Sequence, residues 1–242
     1  MMKRLFIVMS LFAASLGCYA QTYDPVAVSI LDRMSEIIGD LSSVKYSVST
    51  SRDLVDFDFG QTTSYNTHEV YMTGPDKMLV NSNGDNGHKE YWYNGTKICY
   101  YNFDENNYAE METPPTIIET IDTINKLYGI DFPAADFFYP TFTDDLMSMS
   151  DKINFGGIKL QQGKDCFHII ADSKEMTLQF WISNDATMMP KRMVINYKNK
   201  KDVLRYEALF TEWQLNPVLP LSMFDFLIPA GASVVRLVPK SK

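Results

Sequence analysis

An α+β fold, an antiparallel sheet with helices packed on one side of it, is predicted by three features of the chain. Two long stretches, 44–111 and 159–238, alternate apolar and polar residues with hairpin-length connections. Helical spacing occurs only ahead of the first stretch and between the two. No internal repeat, low-complexity run or long linker divides the chain, so about 220 residues after a leader suit one domain.

The first helix opens at Asp24-Pro25, an N-cap followed by a proline whose missing N–H costs nothing in the first turn. Ala27, Ile30, Leu31, Met34, Ile37 and Ile38 form its apolar stripe, and Gly39 closes it. Strands are expected at Val44 to Thr50, Asp53 to Phe59, Gln61 to Thr73 and Met78 to Asn81, with turns at Pro75-Asp76 and 83–87. Glu90 to Tyr93 and Lys97 to Asn102 read as a hairpin around Asn94-Gly95, because that pair tolerates the positive φ of a tight turn. Tyr108 to Met111 continues the sheet. After Pro114-Pro115, Thr116 and Glu119 make a capping box for a helix carrying Ile117, Ile118, Ile121, Ile124 and Leu127 and ending at Gly129. Short helices follow at Pro133 to Tyr139 and at Asp144 to Met149, the latter capped by Thr143. Strands resume after Gly156-Gly157: Lys159 to Gln162, Cys166 to Asp172, Thr177 to Ser183, Lys191 to Lys198, Val203 to Gln214 and Ser233 to Val238.

Met1-Met2-Lys3-Arg4, the apolar run from Leu5 to Leu16 and the small residues before Gln21 have the layout of a secretory signal peptide. The run is shorter than the roughly 20 residues that span a bilayer. Cleavage after about Ala20 delivers the chain to the periplasm. Lipidation at Cys18 is the disfavoured alternative, because Ser15 and Leu16 reverse the order that a lipoprotein signal wants. No second apolar run is long enough to span, so the expected mature chain is not integral to a membrane. Without Lys3 and Arg4 the chain keeps 20 basic residues (22 minus 2) against 30 acidic ones. An acidic chain without a basic patch is a poor partner for nucleic acid. The run Lys198-Asn199-Lys200-Lys201 reads as a solvated hairpin turn. The composition, 45% hydrophobic and 21% charged, supplies a sizeable core. Two cysteines remain, Cys99 and Cys166, and an oxidising compartment permits one disulfide if their Cα atoms come within about 7 Å.

No nucleophile elbow, phosphate loop or paired acid and base emerges, and no cofactor is implied. Cys166 and His168 share a strand face, but no further ligand pair supports a metal there, and a packed cysteine beside a bonded histidine is the favoured account. Asn81, Asn83 and Asp85 imitate the start of a calcium loop, yet Asn86 stands where glycine is needed and Trp92 where glutamate is needed. Met147, Met149, Met188 and Met189 suit irregular apolar packing better than soft-metal binding. Asp144-Asp145 read as acids at a helix N-terminus. The aromatics are the stronger signal: Tyr71, Trp92, Tyr93, Tyr100, Tyr101 and Tyr108 in the first half of the sheet, and Phe132, Phe137, Phe138, Tyr139 and Phe142 in the helical insert. They either pack a core or line a pocket, core packing being the simpler account.

Gly74-Pro75-Asp76-Lys77-Met78, Tyr93-Asn94-Gly95-Thr96-Lys97-Ile98 and Tyr100-Tyr101-Asn102 resemble the central hairpins of the LolA/LolB-like superfamily of periplasmic lipoprotein carriers. Trp213-Gln214-Leu215-Asn216-Pro217 and the stretch from Phe224 to Ala232 resemble its closing motif. Within the superfamily the chain is similar to a family of predicted periplasmic proteins of unknown function. That likeness rests on Asp24-Pro25, Ile30-Leu31-Asp32-Arg33-Met34, Asn107-Tyr108-Ala109, Tyr128-Gly129-Ile130-Asp131-Phe132-Pro133 with Asp136, and Cys166-Phe167-His168. The Ala20-Gln21 junction resembles exported proteins of Bacteroidetes-type bacteria, and Asp122-Thr123-Ile124 resembles an O-glycosylation acceptor there.

The resemblance implies a strongly curved antiparallel sheet, an unclosed barrel, with helices covering the concave face around an apolar cavity able to hold acyl chains. The superfamily's carrier keeps an arginine in its cavity, and no position here is assigned to it. A non-enzymatic binding, carrier or sensor protein follows, its partner an apolar small molecule, a lipid or a lipoprotein anchor. The expected wall is Tyr71, Trp92, Tyr100, Ile121, Ile124, Phe137, Phe138 and Phe180, with the 117–127 helix and Phe137-Phe138 as a movable lid. The alternative is a filled core and a docking module for an envelope protein partner.

Overall fold

A computed structural model of the chain describes residues 21–198 and 204–240. The expected leader, residues 1–20, lies outside the described residues, as does all of the basic run after Lys198. The described chain runs β1 (Thr22–Tyr23), α1 (Pro25–Gly39), then the strands β2 (Ser43–Asp56), β3 (Gly60–Thr73), β4 (Lys77–Gly84), β5 (Lys89–Tyr93), β6 (Lys97–Asn102) and β7 (Asn107–Glu112). A helical insert follows: α2 (Ile117–Tyr128), a 3₁₀ turn (Ala135–Phe138) and α3 (Phe142–Met149). The second run of strands is β8 (Lys152–Gln161), β9 (Lys164–Asp172), β10 (Met176–Ser183), β11 (Pro190–Tyr197) and β12 (Arg205–Leu215), with β13 (Ser233–Val234) near the end.

The strands form one unclosed sheet in the order β1-β8-β9-β10-β11-β12-β2-β3-β4-β5-β6-β7-β13. Two antiparallel meanders, β2 to β7 and β8 to β12, are joined where β12 pairs with β2. That order puts β7 and β8 near opposite edges. The connection between them, residues 113–151, therefore has to cross the sheet, and this crossing is what plugs the concave side. The result is the unclosed, largely antiparallel sheet with helices over its concave face that the sequence reading expects.

Each helix starts where local chemistry favours it. Asp24 accepts the Val26 amide at 2.9 Å ahead of α1. Thr116 accepts the Glu119 amide at 3.3 Å and donates to the Glu119 carboxylate at 2.8 Å ahead of α2. Gly129 ends α2 in the left-handed conformation, φ +71°. The two helices bury Ala27, Leu31, Met34 and Ile38, and Ile117, Thr120, Ile121 and Ile124. Against them lie Val44, Tyr46 and Val48 of β2, Val70 and Met72 of β3, and Ile169, Ala171 and Phe180 of the second meander.

Several boundaries differ from the sequence reading. The stretches at 44–50 and 53–59 are one strand and its turn, with Asp56 accepting the amides of Asp58 and Phe59. The β2–β3 ribbon outruns its neighbours, since β12 stops pairing at Arg52 and β4 at Asn66. Its tip leaves Phe57 and Phe59 101% and 82% exposed. The β5–β6 loop is Gly95-Thr96, with the left-handed φ of +92° on Gly95 alone. Asn94 contributes its side chain, which accepts the Thr96 and Lys97 amides. The cap position of α3 is Thr141, whereas Thr143 sits buried within the helix. Gly156-Gly157 does not precede β8 but lies inside it, at an irregularity between Phe155 and Ile158. The pairing is not wholly antiparallel: β1 and β13 add to the edges in parallel. Only Ser233 and Val234 of the expected last strand pair.

Cys99 and Cys166 are both free and buried. They sit on β6 and β9, with seven strands between, far beyond disulfide reach. The bond that an oxidising compartment permits does not form.

Candidate functional site

Strand alternation decides what faces the helices. On β10 the inward residues are Leu178, Phe180 and Ile182; on β11 they include Met193, Ile195 and Tyr197; on β12, Tyr206 and Ala208. On β2 the inward series Val44, Tyr46, Val48 continues to Thr50, Arg52 and Leu54. The helices do not fill this face completely. A half-open cavity of about 710 Å³ remains, within the usual span for ligand sites of about 300–1,000 Å³.

Leu178, Phe180, Met193 and Ile195 make the floor of the cavity, and Ile121, Phe142 and Leu146 of the helices, with Ile130 just past α2, its opposite wall. Four carboxylates stand in the lining. Asp122 accepts from the Tyr139 hydroxyl at 2.7 Å, Asp131 from the Asn125 amide, and Asp145 from the Thr141 hydroxyl at 2.6 Å. Asp136 has no side-chain partner, and burial, with Asp131 adding to it, holds its carboxyl above the usual range. Arg52 is the cation of the lining among the described residues. It lies over the Tyr206 ring, 5.4 Å from the centroid, and makes no ion pair there. Burial pushes Tyr206 up to about 12, an effect that Arg52 opposes.

The back of the site is packed. Tyr46 is fully buried; its ring stacks on Trp213 at 4.7 Å and on Phe138 at 5.8 Å, and its hydroxyl donates to the Pro133 carbonyl at 2.8 Å. Phe137 packs against Phe142, Phe180 and Phe210 at 5.1, 6.0 and 5.8 Å.

Of the eight residues expected to line a pocket, Ile121 and Phe180 do so. Ile124 and Phe137 are core residues, each 1% exposed. Phe138 is half-buried on Tyr46, and Tyr100 faces inward but packs on Tyr91 at 5.4 Å, outside the cavity. Tyr71 and Trp92 point the other way, because their strand neighbours Val70, Met72, Tyr91 and Tyr93 point in. Lys45 lies 5.5 Å over the Tyr71 ring, and Phe226 of the chain after β12 covers Trp92 at 4.9 Å. Arg52, Asp131, Asp136 and Tyr206 were missed as lining residues. The period of two running on from Val44, Tyr46 and Val48 points to Arg52.

The other candidates resolve as packing. His168 stacks on Trp181 at 4.5 Å and meets Gln179 at 3.1 Å, while Cys166 donates to the Lys164 carbonyl. Asn81 meets His88, and Asp85 accepts the Tyr65 amide. Among the described residues no group of three or more His, Cys, Asp or Glu could hold a metal ion, and no helix is long and apolar enough to cross a membrane.

A family described as predicted periplasmic protein (DUF2092) matches residues 27–238. Among solved structures, an uncharacterized conserved protein from Thermus thermophilus is 12% identical, with 87% of this chain and 99% of that one covered and a TM-score of 0.50. Mycobacterium tuberculosis lipoprotein LppX is 13% identical, with 82% and 99% covered and a TM-score of 0.50. At these identities the likeness is one of fold. No curated protein matches the sequence.

Proposed function

The chain belongs to the family of predicted periplasmic proteins (DUF2092), and from that premise we propose that it is a non-enzymatic periplasmic binding or carrier protein for an apolar ligand, a lipid, acyl chain or lipoprotein anchor. In this reading residues 1–20 are removed on export and 21–242 form one domain. The observation that carries it is the cavity of about 710 Å³ between the sheet and the helical insert, with a floor of Leu178, Phe180, Met193 and Ile195. An apolar guest would cover the parts of Ile130, Met176 and Ile195 that the fold leaves half-exposed, since apolar surface gains by leaving water. The insert that closes the cavity is held at its base by the Tyr46 hydrogen bond to Pro133, and α2, expected as a lid together with Phe137-Phe138, is itself tied down by the Ile117 amide on the Pro75 carbonyl and the Lys240 amide on the Leu127 carbonyl. The fold likeness to a lipoprotein, LppX, agrees with an envelope setting.

The test is native mass spectrometry of the protein purified from its own envelope, with organic extraction of what co-purifies, followed by titration with fatty alcohols. Affinity should rise about fourfold for each added methylene until the cavity is full, since a buried CH₂ is worth about 0.8 kcal/mol. Ile195→Trp, which places an indole in the open volume, should abolish uptake and leave the unfolding midpoint near that of the parent. A clean apo mass with no uptake of any acyl compound would sink the carrier reading.

One observation favours a second reading, docking of an envelope protein: the projecting ribbon with Phe57 and Phe59 bare at its tip. Under it, Phe57→Asp with Phe59→Asp would abolish partner cross-linking in the envelope.

A further inference from the structure

A second cavity of about 310 Å³ adjoins the first, and the two share Arg52, Asp131, Phe132 and Tyr206 in their linings. Its remaining walls are mostly polar, Thr50, Ser64, Asn66, His68 and Asn86, with Leu54 and Pro133 beside them. The change follows the strands. Inward positions of β2 pass from Val44, Tyr46 and Val48 to Thr50 and Arg52, and those of β3 from Met72 and Val70 to His68, Asn66 and Ser64. Between core at Val48 and Val70 and the exposed Leu54, five polar inward positions on two paired strands favour polar contents.

Hydrogen bonding fixes this lining and leaves capacity over. His68 meets Thr50 at 3.0 Å through Nε2 and Ser82 at 2.8 Å through Nδ1. Burial lowers the His68 pKa to about 4, so the ring is neutral near pH 7. Asn66 donates to the Ser64 hydroxyl and accepts the Asn86 amide N–H. The Ser64 proton, the Asn86 side-chain amide and the Arg52 guanidinium remain as donors, and Asp131 has one oxygen beyond the one held by Asn125. Charge sorts the contents further. Within the smaller cavity Arg52 and Asp131 balance, so a head group seated there gains from neither sign of charge, and the Asp122, Asp136 and Asp145 carboxylates of the larger cavity add repulsion for an anion.

We propose that the smaller cavity is a head-group subsite, and that the cargo is a neutral amphiphile whose tail fills the larger cavity and whose uncharged, hydroxyl-bearing head, such as a sugar, fills the smaller one. This rests on the carrier reading above. It narrows the cargo from apolar molecules in general to those with an uncharged, polyhydroxylated end.

Calorimetric titration of the protein with four ligands sharing one dodecyl tail tests it: dodecyl glucoside, dodecanol, dodecanoate and dodecylammonium, each below its micelle concentration. The glucoside should bind roughly tenfold tighter than dodecanol, as one or two net hydrogen bonds give, and dodecanoate weaker than dodecanol. Ser64→Ala with Asn86→Ala should bring the glucoside-to-dodecanol ratio to about one. Equal affinities for glucoside and dodecanol would show the smaller cavity to be merely hydrated, and tightest binding of either charged ligand would overturn the neutral-head assignment. In both of those cases the carrier reading survives. If none of the four binds, the carrier reading fails and this one fails with it.

Discussion

Replacing Tyr46 by phenylalanine isolates the tether between the sheet and the helical insert. The ring is fully buried among Trp213, Phe138 and Phe210, and phenylalanine reproduces its volume. What disappears is the 2.8 Å hydrogen bond to the Pro133 carbonyl, leaving that oxygen without its partner. A buried polar group stripped of its partner costs about 1–3 kcal/mol. With a urea slope of about 3 kcal/mol/M for a domain of this size, the unfolding midpoint should fall by about 0.3–1 M at constant slope. Amide exchange should quicken selectively at Ala135 and Phe137, which follow Pro133 in the 3₁₀ turn. An unchanged midpoint together with unchanged exchange would refute the reasoning, showing that the Pro133 carbonyl finds another donor and that the insert is held by apolar packing alone.

Three further outcomes follow from the same contacts. Folded His68 titrates near 4 against about 6.5 when unfolded, so acid favours the unfolded chain. Its contribution is complete above pH 6.5 and is lost as pH falls toward 4, about 2 kcal/mol between pH 7.5 and 5. Urea melts across that range should show the loss, and His68→Gln should flatten it; equal slopes would contradict the assignment. Burial and the hydrogen bond to Glu110 push the Cys99 thiol up to about 12. Alkylation at pH 8 should therefore miss Cys99 in the folded protein and modify both Cys99 and Cys166 after denaturation without reductant, whereas a mass 2 Da short of the dithiol would reveal a bond. A Cβ on Gly156 would lie 2.6 Å from His168 Nδ1 and 3.3 Å from the His168 carbonyl oxygen. Gly156→Ala should accordingly cost about 1–3 kcal/mol and disturb Trp181 fluorescence through the lost His168 stack; a variant as stable as the parent would count against this packing.

The helices and hairpins were legible in the sequence because their signals are local: Asp24-Pro25, the Thr116–Glu119 box, and a tight turn at Gly95. The facing of the strands was legible only in part. Alternation identifies the buried face when the other face is wet, but here both are covered over much of the first meander. Phe226 lies over Trp92, Tyr101 and Tyr108 on the outer side, while Tyr91 and Tyr93 pack on the inner side. Trp92 therefore looked as eligible for a pocket as its neighbours. Most of the cavity's lining escaped for a different reason. Its lining joins residues near 52, 131, 178, 195 and 206, which come together only because β12 returns beside β2 and the insert crosses between them. No local pattern carries that pairing, so Ile121 and Phe180 were reached through the family resemblance and Arg52 was not reached at all.

An unclosed sheet has two rims, and each is finished by a two-residue strand added in parallel. Thr22 and Tyr23 pair with Lys152 and Ile153 on one rim, where the Asp24 carboxylate also accepts the Phe155 amide. Ser233 and Val234 pair with Asn107 and Tyr108 on the other, followed by the Val235 amide on the Tyr108 carbonyl. Bare strand rims are templates for addition of a strand from another molecule. These two short strands thus act as hems, and deleting either one should leave the cavity whole while baring a rim on which a strand of a second copy can pair.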